Sequence, residues 1–159
     1  MLSSVASCFL WMDMKEKADL EQMHALANSV RRAYNRLRYT TDVLHQDLGV
    51  SAPKRTLLMD LHRYGPQTVP QLAAERFISR QIIQSQVNEL QRSGYLMSQP
   101  NPAHKRSSLI ALTDSGHRLV RHMIAAEQAY LEKTGWVPDA DEVANCIDLL
   151  DEIFVRLGV

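Results

Sequence analysis

The sequence predicts a mainly α (α+β) chain, six helices around one small β-hairpin, and three patterns carry that prediction. Apolar residues recur every three or four positions over long stretches at both ends, the period of an amphipathic helix. Two helix-start signatures capped by Thr or Ser crowd into residues 68–79, as short helices joined by a tight turn require. Two short runs of alternating apolar residues flank a proline-containing loop, which is the pattern of a hairpin.

The first helix follows from Leu20, Met23, Ala27, Val30, Tyr34, Leu37, Thr41, Leu44 and Leu48, spaced by threes and fours until Gly49. From 20 to 48 it would span about 43 Å, more than the ~39 Å diameter of a compact chain of this length. Such a helix should protrude and find a partner. Ser51 and Pro53 open a second helix carrying Leu57, Leu58, Leu61 and Tyr64, closed by Gly65. Thr68-Val69-Pro70-Gln71 has the capping-box form and starts a short third helix that runs to about Arg76.

After Phe77 and Ile78, Ser79 caps a fourth helix with an inward stripe of Ile83, Val87 and Leu90, ending at Gly94. Arg80, Gln81, Gln84, Ser85, Asn88 and Arg92 are left on or beside its outer face. Two helices joined this way, the second presenting amides and arginine, form a helix-turn-helix. Strands are expected at 95–97 and 107–112, with a tip ending in His104-Lys105-Arg106. Thr113 caps a fifth helix carrying Leu119, Met123, Ala126 and Tyr130 up to Gly135. Asp139-Ala140-Asp141-Glu142 opens the last, with Val143, Ile147, Leu150, Phe154 and Leu157 on one face.

Its 159 residues suit a single fold unit, with no repeat, low-complexity tract or linker. Net charge is zero, yet residues 54–122 hold ten basic side chains against four acidic, while residues 123–159 hold two against eight. A basic middle with an acidic end gives a surface suited to phosphates. Cys8 and Cys146 are too few for a disulfide scaffold and have no metal-ligand spacing, which fits a reducing, cytoplasmic setting. No apolar run is long enough for a membrane span. The opening segment lacks the basic region of a signal peptide, and residues 1–14 are expected to be a loose extension. The histidines are scattered, and neither a phosphate loop nor a nucleophile elbow occurs, so no catalysis, metal or cofactor is expected.

The residues from Val69 to Val120 resemble the MarR family of bacterial winged helix-turn-helix transcriptional regulators. Leu72-Ala73, Ile78-Ser79-Arg80-Gln81, Val87-Asn88-Glu89-Leu90 and Gly94-Tyr95-Leu96 are similar to its helix-turn-helix. Arg106, Leu109-Ile110-Ala111-Leu112-Thr113 and Gly116 are similar to its wing and the start of the next helix. Asn101 to Lys105 lack the acidic residues that commonly order that wing. One MarR-type domain is implied over 1–159, with a winged helix-turn-helix lobe at 51–113 and dimerisation helices at 15–48 and 114–158.

The resemblance implies a homodimeric regulator, most simply a repressor, that holds a palindromic operator in double-stranded DNA and is released by a small, often aromatic, effector. Ser79, Arg80, Gln81, Gln84, Ser85, Asn88, Lys105 and Arg106 are the DNA-contacting candidates. Amides and Arg forks suit purine edges, and hydroxyls and lysine suit phosphates. Arg38, Tyr39 and His62 are effector candidates that also read as ordinary structural polar residues. Two alternatives stand beside this: a winged helix used for protein–protein contact, which should carry an apolar wing tip, and a redox-sensing regulator using Cys8. Cys146, beside the apolar face of the last helix, is expected in the core.

Overall fold

The computed structural model describes residues 18–104 and 106–156. The chain divides into two compact units, one up to Thr40 and one from Thr41 onward. Helix α1 spans Leu20–Leu44, 25 residues, and buries none of them. It stops earlier than its apolar period suggests. His45 leaves helical geometry (φ −114°, ψ 19°), a single 3-10 turn follows over Gln46–Leu48, and Gly49 closes it in the left-handed region. The break turns His45 inward, where it is 2% exposed and its Nε2 lies 2.9 Å from Glu127 Oε1.

The second unit is built on α2 (Ala52–Tyr64), α3 (Val69–Glu75), α4 (Arg80–Arg92), β1 (Leu96–Gln99), β2 (Leu109–Leu112) and the start of α5 (Asp114–Thr134). Its core joins Leu57, Leu58 and Leu61 of α2, Leu72 of α3, Ile83, Val87 and Leu90 of α4, Leu96, Ile110 and Leu112 of the strands, and Val120 and Met123 of α5. Each set has the spacing of its element, threes and fours on helices and twos on β2. The strands pair antiparallel, Leu96 opposite Leu112 and Gln99 opposite Leu109. Gln67 adds a bridge to Ile110 through two backbone hydrogen bonds of 3.1 and 2.8 Å. That third piece of sheet is one residue long, too short to leave a period in the sequence.

Both strands sit later than their apolar runs. Tyr95 precedes β1, and Ser107 donates its backbone N–H to His104 in a turn at the tip. Helix starts follow their signatures. Thr68 and Gln71 form the complete capping box of α3, Ser79 accepts from Ile82 N, and Thr113 accepts from Gly116 N. At the last helix, α6 (Ala140–Arg156), Asp139 Oδ1 accepts from the N–H groups of Asp141 and Glu142.

Like α1, α6 buries no residue. Cys146 is therefore exposed rather than in the core, because nothing among the described residues covers its side of the helix. Cys8 lies outside the described residues, as does Leu157.

One backbone feature stands apart. Phe77, in the turn between α3 and α4, has φ 51°, the only positive φ among described non-glycine residues. Left-handed backbone costs a residue with a Cβ roughly 1–2 kcal/mol. Its ring lies edge-on to that of Phe154 in α6, centroids 4.9 Å apart and planes at 84°. Such a pair contributes about 0.5–1.5 kcal/mol beyond its buried area, an amount close to the strain.

Candidate nucleic-acid interface

The α3–turn–α4 pair is locked from three sides. Behind α4 lie Ile83, Val87 and Leu90, all at most 2% exposed. From α2, Lys54 pairs with Glu89 of α4, and Asp60 accepts from Arg76 Nε and Nη2 at 2.8 and 2.5 Å. From β1, Ser98 Oγ accepts from Gln91 Nε2 at 2.9 Å. A helix fixed in this way presents its remaining face with little freedom.

That face carries Arg80, Gln81, Gln84, Ser85 and Asn88, all exposed. Arg80, Gln81 and Gln84 form one wall of a groove of about 530 Å³ whose other wall is the hairpin, with Ser98, Arg106, Ser107 and Ser108. Val69 and Pro70, at the start of α3, also line it. The structure therefore brings together Arg80, Gln81, Gln84 and Arg106. Lys105 lies outside the described residues.

Ser85 and Asn88 do not line the groove. Ser85 Oγ donates to Glu89 Oε1 at 3.4 Å, and Asn88 Oδ1 accepts from Gln84 Nε2 at 2.8 Å. Ser79 uses its oxygen as the cap acceptor of α4, which leaves its hydroxyl hydrogen free to donate. No sequence pattern marks Ser98, Ser107 and Ser108, which enter the site only because the hairpin folds back toward α4. Ile82 is different. It falls outside the buried stripe of α4, is 51% exposed, and sits between Gln81 and Ile83 in a helix otherwise polar on that side. The break in the stripe is the signal that could have flagged it.

Not all of the basic excess of the middle segment is available to a partner. Arg55 is buried, donating to Val50 O at 2.7 Å and Asp42 Oδ1 at 2.5 Å. Lys54 and Arg76 are paired as described. Glu89 has its carboxyl held below the ordinary value of 4.5, chiefly by the Lys54 hydrogen bond and then by the Lys54 charge. Arg80 and Arg106 have no carboxylate within ion-pair distance among the described residues.

None of the effector candidates is among the residues that line this groove. Tyr39 is exposed on α1. Arg38 is exposed beside it in the amino-terminal unit. His62 is exposed on α2, its ring edge-on to that of His117 at 5.9 Å.

A helix-turn-helix followed by a short antiparallel hairpin, with the second helix and the hairpin facing one groove, defines a winged helix-turn-helix protein. A MarR family model matches residues 48–107, which cover α2, the helix-turn-helix and the hairpin tip. Three solved structures share the fold. A MarR family transcription regulator is 25% identical, covers 86% of this chain and 93% of its own, and superposes with a TM-score of 0.69. A MarR transcriptional regulator from Methanosarcina mazei is 17% identical, with coverages of 85% and 99% and a TM-score of 0.72. A mutant MarR from E. coli complexed with operator DNA is 20% identical, with coverages of 86% and 99% and a TM-score of 0.67. No curated protein matched the chain in sequence. Over residues 48–107 the chain is similar to the MarR family, and it shares the fold of solved MarR-type regulators.

Proposed function

We propose that this protein is a homodimeric, DNA-binding transcriptional regulator, with α4 reading base edges in the major groove and the hairpin wing holding the adjacent backbone. The observation that carries the reading is the shared groove of Arg80, Gln81, Gln84 and Arg106, two amides and two guanidinium groups with no carboxylate partner among the described residues. An Arg fork matches guanine O6 and N7, and a Gln amide matches adenine N6 and N7. Arg106 and the serines of the hairpin suit phosphate oxygens, and the exposed methyl groups of Ile82 suit a thymine methyl. Support also comes from the E. coli relative, which was solved on operator DNA.

Dimerisation is supported by α1 and α6. Neither buries a residue, yet Leu20, Tyr34 and Leu37 of α1 and Ile147, Leu150 and Phe154 of α6 present exposed apolar side chains. A two-fold pairing through these helices gives two symmetry-related copies of α4, and a palindromic operator follows from that symmetry. Repression and release by a small molecule binding near Arg38, Tyr39 or His62 complete the reading. Gel retardation of random-sequence duplex DNA over a salt series tests it. Retardation that weakens steeply with salt is expected, and the absence of retardation at low salt would overturn the DNA reading.

A further inference from the structure

Phe77 occupies a position where a large apolar side chain is a liability. Its backbone is in the region that favours glycine, and its ring is 69% exposed. A glycine would make the same turn without strain, and a polar residue would cover the same surface without exposing a ring. The ring instead meets Phe154, whose own exposure is 52%, in the edge-to-face geometry that aromatic pairs prefer.

The position of the contact gives it leverage. Phe77 is two residues from Ser79, the cap of α4. The turn is braced on α3, where Phe77 N donates to Ala74 O at 3.2 Å and Ile78 N to Ala73 O at 3.1 Å. The groove side chains begin one residue beyond the cap, at Arg80. At the other end, Phe154 lies in the last described turn of α6, a helix with no buried residue to hold it.

We infer that Phe77 and Phe154 form a clasp that couples the carboxyl-terminal end of α6 to the start of the recognition helix. The inference rests on the reading of α4 as the DNA-contacting helix and α6 as a subunit contact. Strain at Phe77 opposes the clasp and the ring contact favours it. The two are of similar size, so both closed and open forms are accessible, and small displacements of either helix shift their balance. Repositioning α6 in the dimer thus changes the set of α4, and seating α4 on DNA changes the environment of Phe154.

The chain holds three phenylalanines, Phe9, Phe77 and Phe154. Protein labelled throughout with 4-fluorophenylalanine should therefore give three fluorine resonances, assigned by Phe9→Leu, Phe77→Gly and Phe154→Leu. Phe77→Gly keeps the backbone of the turn and removes only the ring. With the clasp, each of the Phe77 and Phe154 resonances shifts when the other ring is removed, while the Phe9 resonance stays. Random-sequence duplex DNA should displace the Phe154 resonance in the otherwise native chain and leave it unmoved in Phe77→Gly. Resonances that ignore one another's removal overturn the clasp, and a DNA-induced displacement that survives Phe77→Gly overturns its role in coupling. DNA that is not retarded by the native chain overturns the DNA reading instead, and the reciprocal shifts then decide the clasp alone.

Discussion

Glu89 stands on α4 with its carboxylate turned toward Lys54 of α2, and it does not line the groove of Gln81 and Gln84. Its lowered pKa makes the pair a pH-dependent strut. A carboxyl depressed in the folded state adds stability above its unfolded pKa, and that stability is lost as pH falls through the folded value. Melting temperature measured against pH should show the native chain above Glu89→Gln at neutral pH, with the two converging in the acid range below the ordinary value of 4.5. Unchanged separation at acid pH would mean that the strut does not depend on ionised Glu89. Gln84 differs, since it gives one amide N–H to Asn88 and keeps its other N–H and its Oε1 for a partner. Gln84→Ala should relax base preference at one position per half-site, by about 1–3 kcal/mol for a lost bidentate pair, as read by binding to operator variants. Uniform weakening across variants would place Gln84 on phosphate. Arg106→Ala should flatten the plot of log K against log salt by about 0.9 per phosphate contact, hence about 1.8 per dimer.

Elements were more legible than sites because caps and glycines act locally. Thr68-Val69-Pro70-Gln71, Ser79 and Thr113 mark helix starts without reference to anything distant, and the structure forms a cap at each. What depends on three-dimensional closure left no such mark. The inward turn at His45 answers to Glu127, 82 residues away in sequence, so the apolar period runs on through a helix that has already ended. The division of the basic residues into struts and free charges likewise depends on where Asp42, Asp60 and Glu89 fall in space. Gly116 lies between these cases. Its residue type belongs to the family pattern, but the reason is spatial, since a Cβ there would sit 2.2 Å from Tyr95 O. Gly116→Ala should force α5 off the end of β1 and lower stability by about 1–3 kcal/mol in denaturant unfolding, the usual range for overpacking. A stability unchanged within error would show that this approach relaxes freely.

At the scale of the whole chain, the charge pattern predicted a basic working surface, and the proposed one is the groove that Arg80 and Arg106 line. The apolar seams of the first and last helices predicted a partner, and their exposure in a single chain is the feature on which the proposed dimer rests. Leu150→Asp places a charge in the α6 seam and should yield monomers by sedimentation velocity; a variant that remains dimeric would move the interface elsewhere. A more general consequence follows from α1, a helix of 25 residues that buries none of them. Helices in proteins owe most of their stability to packing rather than propensity, so in the proposed dimer α1 would be held chiefly by the partner subunit. Its integrity is then set by subunit concentration through mass action. In such a dimer a newly made subunit without a mate would carry a long segment open to proteases. Limited proteolysis over a dilution series should show cleavage within residues 20–40 rising as subunits separate, while the core around Leu57, Ile83 and Val120 stays whole. If the proposed dimer forms, the amount of regulator in the cell would be trimmed by the half-life of the unpaired chain.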